Sequence, residues 1–293
     1  VTGISPVSWM KHDRQNVAFY LHDEFNLTDR LFLTTGYRHE NVDLHLNQWG
    51  ADGDVLTRND QPQWSSELGL GYNFASGSKV YSKIYRAYRY PVIDEMITYG
   101  TLTVCNPEKS VGYELGFRLA GEKHDSIEAR GYLMDVEDEI MYDSTTFANR
   151  NFAQTRHSGL DVNGRYGLLS NMTLTGGVSI NQAKFTSTVY DGRHIPLVPE
   201  WKGTVGMEYD FGHGLLAKMI YRYVGQQYMI GDLENIRQKL DGYGTADVSL
   251  TYSTSRFDAY VNGTNILNKE YASYGLNYGT PYYYPMPKAQ YIV

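Results

Sequence analysis

The feature that most constrains this chain is a period-two alternation of apolar and polar residues, repeated in runs of about ten or more residues from end to end. The run from Val111 sets Val111, Tyr113, Leu115, Phe117 and Leu119 on one face, and Gly112, Glu114, Gly116, Arg118 and Ala120 on the other. Trp201, Gly203, Val205, Met207, Tyr209 and Phe211 alternate in the same way with Lys202, Thr204, Gly206, Glu208 and Asp210. Two more runs, Trp64–Phe74 and Met172–Asn181, repeat the pattern. No apolar stripe at i, i+3, i+4 is sustained, and no window approaches the roughly 18–20 apolar residues of a spanning helix. The chain is read as all-β and antiparallel, with one apolar face.

Thirteen strands are expected near 15–27, 30–42, 62–74, 78–89, 109–120, 124–139, 156–168, 171–183, 201–211, 215–225, 241–253, 256–265 and from 289. Several exceed the roughly 5–6 residues of soluble strands and match the roughly 9–11 that cross a bilayer at a tilt. The connections discriminate more sharply. Tight turns rich in Gly, Ser, Asn and Asp lie at 26–30, 75–77, 121–123, 170, 212–214 and 254–255. They alternate strictly with long linkers at 43–61, 90–108, 140–155, 184–200, 226–240 and 266–288. All long linkers then emerge on one side, which points to an antiparallel transmembrane β-barrel of outer-membrane type.

Phe25, Tyr72, Phe74, Tyr209, Phe211, Tyr252 and Phe257 flank the tight turns, where an aromatic girdle meets lipid headgroups. The competing reading is ordinary core aromatics of a β-sandwich. The opposite face carries Lys83, Glu114, Arg118, Glu128, Arg130 and Arg165, with Lys202 and Glu208, and is too charged for a packed interior. In a wide barrel it faces water or a plug. Because single-chain bacterial barrels have even strand numbers, thirteen implies a piece of a barrel, one domain over residues 1–293 cut at both ends.

Net charge is −7, so a nucleic-acid partner is not expected. Cys105 is the single cysteine, and the eight histidines are dispersed without ligand spacing, so no metal site or cofactor is expected. The acidic run Asp135, Glu137, Asp138 and Glu139 could hold Ca²⁺ with Asp143, but reads better as a solvated rim or a lipopolysaccharide-facing one. A hydrolase reading of Asp135 and Glu139 lacks a cleft and a base, so an enzyme is not expected.

Four stretches then carry a family resemblance. They are Asn106-Pro107-Glu108-Lys109-Ser110 with Tyr113-Glu114-Leu115-Gly116, and Arg193-His194-Ile195-Pro196-Leu197-Val198-Pro199-Glu200-Trp201-Lys202. The third is Lys239-Leu240-Asp241-Gly242-Tyr243 with Val261-Asn262-Gly263-Thr264-Asn265-Ile266-Leu267-Asn268-Lys269-Glu270-Tyr271, and the fourth Tyr282-Tyr283-Tyr284-Pro285-Met286-Pro287. In this order they resemble TonB-dependent outer-membrane receptors, from about residue 106 to the C-terminus.

The resemblance implies a 22-stranded barrel in the outer membrane of a Gram-negative-type bacterium, of which this chain holds roughly strands 10 to 22. The family's plug domain and TonB box have no counterpart here, so the TonB complex would be engaged through that missing segment. The implied function is energised uptake of a ferric siderophore or similar iron complex. Cobalamin is an alternative ligand, and a passive porin or a small-barrel enzyme the alternatives of another class. The partners implied are outer-membrane lipid, lipopolysaccharide and the ligand. Ligand recognition would fall to loop residues Tyr99, Phe147, Arg150, Tyr190, Arg193, Tyr228, Tyr274 and Tyr278, with Phe152, Met229, Tyr282 and Tyr283 beside them. Arg150 or Arg193 among tyrosines suits an anionic ferric chelate. Arg193 and Tyr282–Tyr284 lie in the resembling stretches, which favours scaffold over selectivity.

Overall fold

A computed structural model of the chain describes residues 9–49, 55–98, 101–102, 104–121 and 125–292. The strands are β1 (Trp9–Asn26), β2 (Leu31–Trp49), β3 (Val55–Asp60), β4 (Gln63–Asn73), β5 (Lys79–Arg89), β6 (Ile97–Thr98), β7 (Thr101–Leu102), β8 (Glu108–Ala120) and β9 (Ser126–Asp143). They continue with β10 (Ala148–Leu169), β11 (Met172–Phe185), β12 (Trp201–Gly212), β13 (Leu215–Val224), β14 (Tyr243–Ser253), β15 (Asp258–Thr264), β16 (Ala272–Asn277), β17 (Pro281–Pro285) and β18 (Gln290–Ile292). Helix among the described residues is limited to the 3-10 turns Ile93–Glu95 and Thr188–Tyr190.

The main sheet runs β1-β2-β4-β5-β8-β9-β10-β11-β12-β13-β14-β15-β18, with β3 pairing β2 off this path. Those thirteen strands are the thirteen expected from the alternation. Each neighbour follows in chain order and pairs antiparallel, as in β1–β2 from Trp9 opposite Trp49 to Asn26 opposite Phe32.

Burial is inverted relative to a soluble sheet. On β8 the apolar column Val111, Tyr113, Leu115, Phe117 and Leu119 is exposed throughout, with Leu115 at 62%. Glycines on the polar face are the buried positions, because tyrosine rings from β5 lie over them. A Cβ at Gly112 would sit 2.2 Å from Tyr85 Cζ, and one at Gly116 would sit 2.4 Å from the Tyr81 ring. Trp201, Val205, Met207 and Phe211 on β12 are likewise exposed. An apolar face left uncovered over so many strands is what lipid contact requires. At the tight turns, rings pair edge-on: Tyr72 with Phe74 at 4.9 Å, Tyr209 with Phe211 at 4.6 Å and Tyr252 with Phe257 at 6.2 Å.

Two expected linkers prove to be strand. Residues 43–61 continue β2 to Trp49, and β3 folds back on it from Asp43 opposite Asp60 to Gln48 opposite Val55. Residues 140–155 extend β9 and β10 into one long hairpin, leaving only 144–147 as its turn. The cause is a phase reversal. On β2 the apolar residues Leu33 and Tyr37 are odd-numbered, whereas Val42, Leu44 and Leu46 are even-numbered and buried with Met96, Tyr90 and Ile93. On β9, odd Ile127 and Leu133 are exposed, whereas even Val136 and Ile140 are buried. Past the apolar band the strands turn their hydrophobic side away from lipid and pack it under loops. The 266–288 linker also contains structure, the β16–β17 hairpin.

The chain divides into two compact units: Val1–Leu70, Lys83–Tyr113 and Asp135–Thr155 form one, and Gly71–Ser82, Glu114–Met134 and Arg156–Val293 the other. The first unit packs Val42, Leu44, Leu46 and Met96 as its core, and the second buries Ala183, Phe185, Ile195, Met229 and Leu240 beneath its long loops.

Candidate functional site

The polar face of the sheet is laced with ion pairs. In the second unit, Tyr81 Oη donates to Glu114 Oε1 at 2.8 Å, and Arg130 lies 3.7 Å from Glu114 and 2.6 Å from Asp161. Arg118 pairs with Glu128 at 3.3 Å, and Lys218 with Glu208 at 2.9 Å. Arg222 bonds Asp247. A cleft of about 610 Å³ opens among Lys79, Tyr81, Arg118, Glu128, Arg130, Asp161 and Asn163. In the first unit, Lys83 lies 4.0 Å from Glu67 and over the Tyr85 ring, while buried Glu40 accepts from Arg38, Tyr88 and Asn16. Of the six charged residues expected on this face, five are so engaged. Arg165 is exposed and has no ion-pair partner among the described residues. Such a half-exposed ladder of charges suits a water-lined surface better than a packed core.

Above the second unit's strands, the segments 186–200, 225–242 and 265–289 are fastened to one another. Asn235 Oδ1 accepts from the His194 N–H at 2.5 Å, and its Nδ2 donates to the His194 carbonyl at 3.0 Å. The Leu197 N–H donates to the Tyr228 carbonyl at 2.8 Å. The Asn277 N–H donates to the Ile230 carbonyl at 2.8 Å, and Arg237 Nη1 donates to the carbonyls of Gly231 and Asn277. The carboxylate of buried Asp232 caps the N–H groups of Ile236 and Arg237, each at 3.0 Å. Met229, with no exposed surface, fills the centre against Gly275. These loops are a packed body.

The expected ligand residues divide by partner. Tyr99 lies outside the described residues. Phe147 is 47% exposed at the tip of the β9–β10 hairpin, with φ of 54°. Arg150 is drawn into the hairpin itself, its Nε 2.8 Å from buried Asp143 and its guanidinium 4.8 Å from the Phe152 ring centre. Phe152 is buried. Tyr190 packs on buried Phe185 at 5.6 Å. Arg193 is exposed and has no ion-pair partner among the described residues. Tyr228 stands 5.8 Å from His194 with the Lys239 ammonium 4.4 Å over its ring. Tyr274 is exposed and meets Tyr284 edge-on at 5.0 Å, while the Tyr278 ring lies against Gly231. Tyr282 and Tyr283 are exposed.

The resembling stretches act as fasteners. Glu108 chelates Arg89 at 2.6 and 2.7 Å and accepts the Ile140 N–H at 2.8 Å, so one carboxylate ties β5, β8 and β9. Asn106 and Asn151 bond reciprocally at 2.8 and 2.9 Å, and Pro107 is buried. Asn265, nearly buried at φ 48°, donates to the carbonyls of Lys269 and Pro287 and accepts the Lys269 N–H. Asn235 and Asp232, outside those stretches, carried no sequence signal beyond a polar residue in a loop.

The acidic run is dispersed. Asp143 is committed to Arg150 and to the Thr145 N–H, Asp138 lies 4.0 Å from Lys109, and Glu139 accepts from Thr155. Among the described residues, no group of three or more His, Cys, Asp or Glu is placed to hold a metal ion. Cys105 is buried beside the carbonyls of Glu95 and Asn149, and burial pushes its thiol pKa up.

Comparison with known proteins agrees with this architecture. Residues 2–266 match the profile described as TonB dependent receptor-like, beta-barrel. The pesticin receptor of Yersinia enterocolitica is 26% identical over 281 residues, covering 91% of this chain and 41% of that protein. The ferric yersiniabactin uptake receptor FyuA from Yersinia pestis superposes with a TM-score of 0.76 at 20% identity, covering 98% of this chain and 45% of FyuA. The siderophore receptor PiuA from Acinetobacter baumannii does so with a TM-score of 0.81 at 14% identity, covering 96% and 43%. The chain thus spans less than half the length of these relatives. With lipid-facing columns, short turns, long fastened loops and a charged inner register all in place, the chain belongs to the TonB-dependent receptor-like β-barrel family.

Proposed function

We propose that this chain forms part of the barrel of an outer-membrane receptor that takes up a ferric siderophore or similar iron complex with energy delivered through TonB. The observation that carries this reading is the loop body of the second unit: three long segments locked by Asn235, Asp232 and Arg237 around Met229. A passive porin has no need of a pre-organised recognition surface, whereas capture of a scarce ligand does. That similar structures bear the names of a ferric yersiniabactin uptake receptor and a siderophore receptor favours iron chelates over cobalamin as cargo.

In this reading Arg193 and Tyr274, exposed in the second unit's loops, contact ligand, and Phe147 and Tyr99 of the first unit are each proposed as ligand contacts in their own right. Arg150, Tyr190, Tyr228 and Tyr278 act chiefly by holding the loops in shape. The polar face with Glu114, Arg118, Glu128, Arg130, Lys83 and Arg165 lines the passage and meets a plug. The test is titration of the complete receptor with a panel of ferric siderophores and with cobalamin, read by tryptophan quenching. Saturable quenching by an iron chelate supports the proposal, and binding of cobalamin alone would overturn it.

A further inference from the structure

One basic cluster is unaccounted for by ligand uptake. On β11 the exposed apolar column runs Val178, Ile180, and its next members are Gln182 and Lys184. Alternation keeps these four on the lipid side, and Lys184 lies about 14 Å beyond Ile180 along the strand. Ile180 faces Trp201 across the ladder, and Trp201 stacks on Tyr223 at 4.4 Å and 20°. Both rings occupy the apolar register at the long-loop end, where amphipathic aromatics mark the edge of the hydrocarbon.

Beyond that edge Lys184 pairs with His194 across an isolated β-bridge, and directly opposed residues share a face. His194 neighbours Tyr228, whose ring carries the Lys239 ammonium at 4.4 Å. The charged groups facing His194 are Lys184, Lys239 and Glu200, and Glu200 lies 3.7 Å from Lys239 on an exposed side chain. Positive charge is therefore in excess here, on a chain whose net charge is −7. Burial of the ring, with Lys184 and Lys239 beside it, holds the His194 pKa below its ordinary value against the opposing Glu200. The clamp from Asn235 fixes the His194 backbone, so the cluster is pre-formed.

We propose that Lys184, His194 and Lys239 form a docking site for the phosphate of an anionic lipid headgroup in the leaflet on the long-loop side. The site lies on the lipid register, so it is separate from uptake of cargo. Lysines outside the hydrocarbon attract anionic headgroups, and a partly buried histidine adds a donor once protonated.

The protein is purified from its membrane in detergent and titrated with phosphatidic acid and with phosphatidylcholine of the same chains, adducts being counted by native mass spectrometry. Phosphatidic acid is expected to be retained preferentially, and Lys184→Gln with Lys239→Gln to cut that preference roughly thirtyfold, the worth of two interfacial lysines. Arg256→Gln, at an exposed tight turn at the opposite, short-turn end of the strands, is expected to leave it unchanged. Where the double variant does not fold, Lys239→Gln alone and the imidazole resonance of His194 in the unaltered protein give the same answer, the His194 pKa rising on addition of phosphatidic acid. An unchanged preference in the variants, or full displacement of the lipid by millimolar inorganic phosphate, would overturn the proposal; the latter outcome would make the cluster a soluble-anion site. Cargo affinity is measured separately and is expected to be untouched by Lys184→Gln, so this test fails or succeeds independently of the uptake reading.

Discussion

Asn235 grips His194 from both sides, accepting its N–H at 2.5 Å and donating to its carbonyl at 3.0 Å. It does so with φ of 59°, a left-handed conformation that Asn tolerates better than most residues. This pair is the seam between the 186–200 and 225–242 segments. Asn235→Ala is expected to lose both bonds and strain the backbone, loosening the loop body by about 1–3 kcal/mol. Asn235→Gly relieves the backbone and loses only the bonds, so its effect is smaller. Amide hydrogen exchange of the two segments checks this, with the strands of the sheet as the unaffected reference.

His194 gives the same seam a pH dependence. Its pKa lies below the ordinary 6.5 because burial and the lysines Lys184 and Lys239 disfavour the charged ring, with Glu200 opposing them. A base whose folded pKa is depressed binds its proton more readily when released, so stability is fully present above about 6.5. It falls as pH drops from there through the lower folded value. Exchange rates in 186–200 and 225–242 are expected to rise as pH falls over that window, after correction for intrinsic exchange, and His194→Gln to flatten the profile.

The strands were legible in the sequence because lipid on one side and water on the other enforce alternation, as the Val111–Leu119 column shows. The strand extensions were not, since the pattern reverses phase. The register of Leu33 and Tyr37 continues through Asn41, Asp43, His45 and Asn47, which read as loop, while Val42, Leu44 and Leu46 take over the apolar side. The charged inner register was legible residue by residue, but its pairing, such as Arg130 between Glu114 and Asp161, depends on strand stagger. The loop body was least legible. Its fasteners Asn235, Asp232 and Arg237 work by bonding backbone groups far away in sequence, and any polar residue in a loop looks the same beforehand.

Asn265 makes a comparable fastening of the last long segment. Its Nδ2 reaches the carbonyls of Lys269 at 2.9 Å and Pro287 at 3.2 Å, and its Oδ1 accepts the Lys269 N–H at 3.0 Å. Asn265→Ala is expected to cost about 2 kcal/mol locally, and Asn265→Asp at least as much, because its second carboxylate oxygen would face the two carbonyls to which the amide now donates. Limited proteolysis within 265–289 is the check, with both variants expected to be cleaved faster than the unaltered protein.

Glu108 tests whether one carboxylate can organise three strands. Glu108→Gln weakens the charge-assisted pair with Arg89 but keeps an acceptor for the Ile140 N–H, whereas Glu108→Ala leaves that N–H without its partner. Arg89 retains Glu95 at 2.8 Å in both variants. The expected losses are about 1 kcal/mol for Gln and about 2–3 kcal/mol for Ala. Urea unfolding of the membrane-reconstituted protein is the measurement, and equal losses would place the effect in the charge pair alone.

Arg150 and Arg193 are the two loop arginines proposed for an anionic chelate, and the structure gives them different surroundings. Asp143 is 1% exposed and Arg150 is its cation at 2.8 Å, so Arg150→Ala leaves a buried carboxylate uncompensated. Breaking a fully buried pair costs about 3–5 kcal/mol, and with the Arg150 side chain 46% exposed the expected loss is about 1–3 kcal/mol. Replacing both, Asp143→Asn with Arg150→Ala, should recover most of it, because the stranded charge is gone. Arg193→Ala, with no ion pair to break among the described residues, is expected to leave stability within about 0.5 kcal/mol and to weaken binding of an anionic ferric chelate about tenfold. The cross-comparison decides the roles. Recovery of chelate affinity in the Asp143→Asn, Arg150→Ala pair would make Arg150 a scaffold, and continued loss despite restored stability would make it a ligand contact after all.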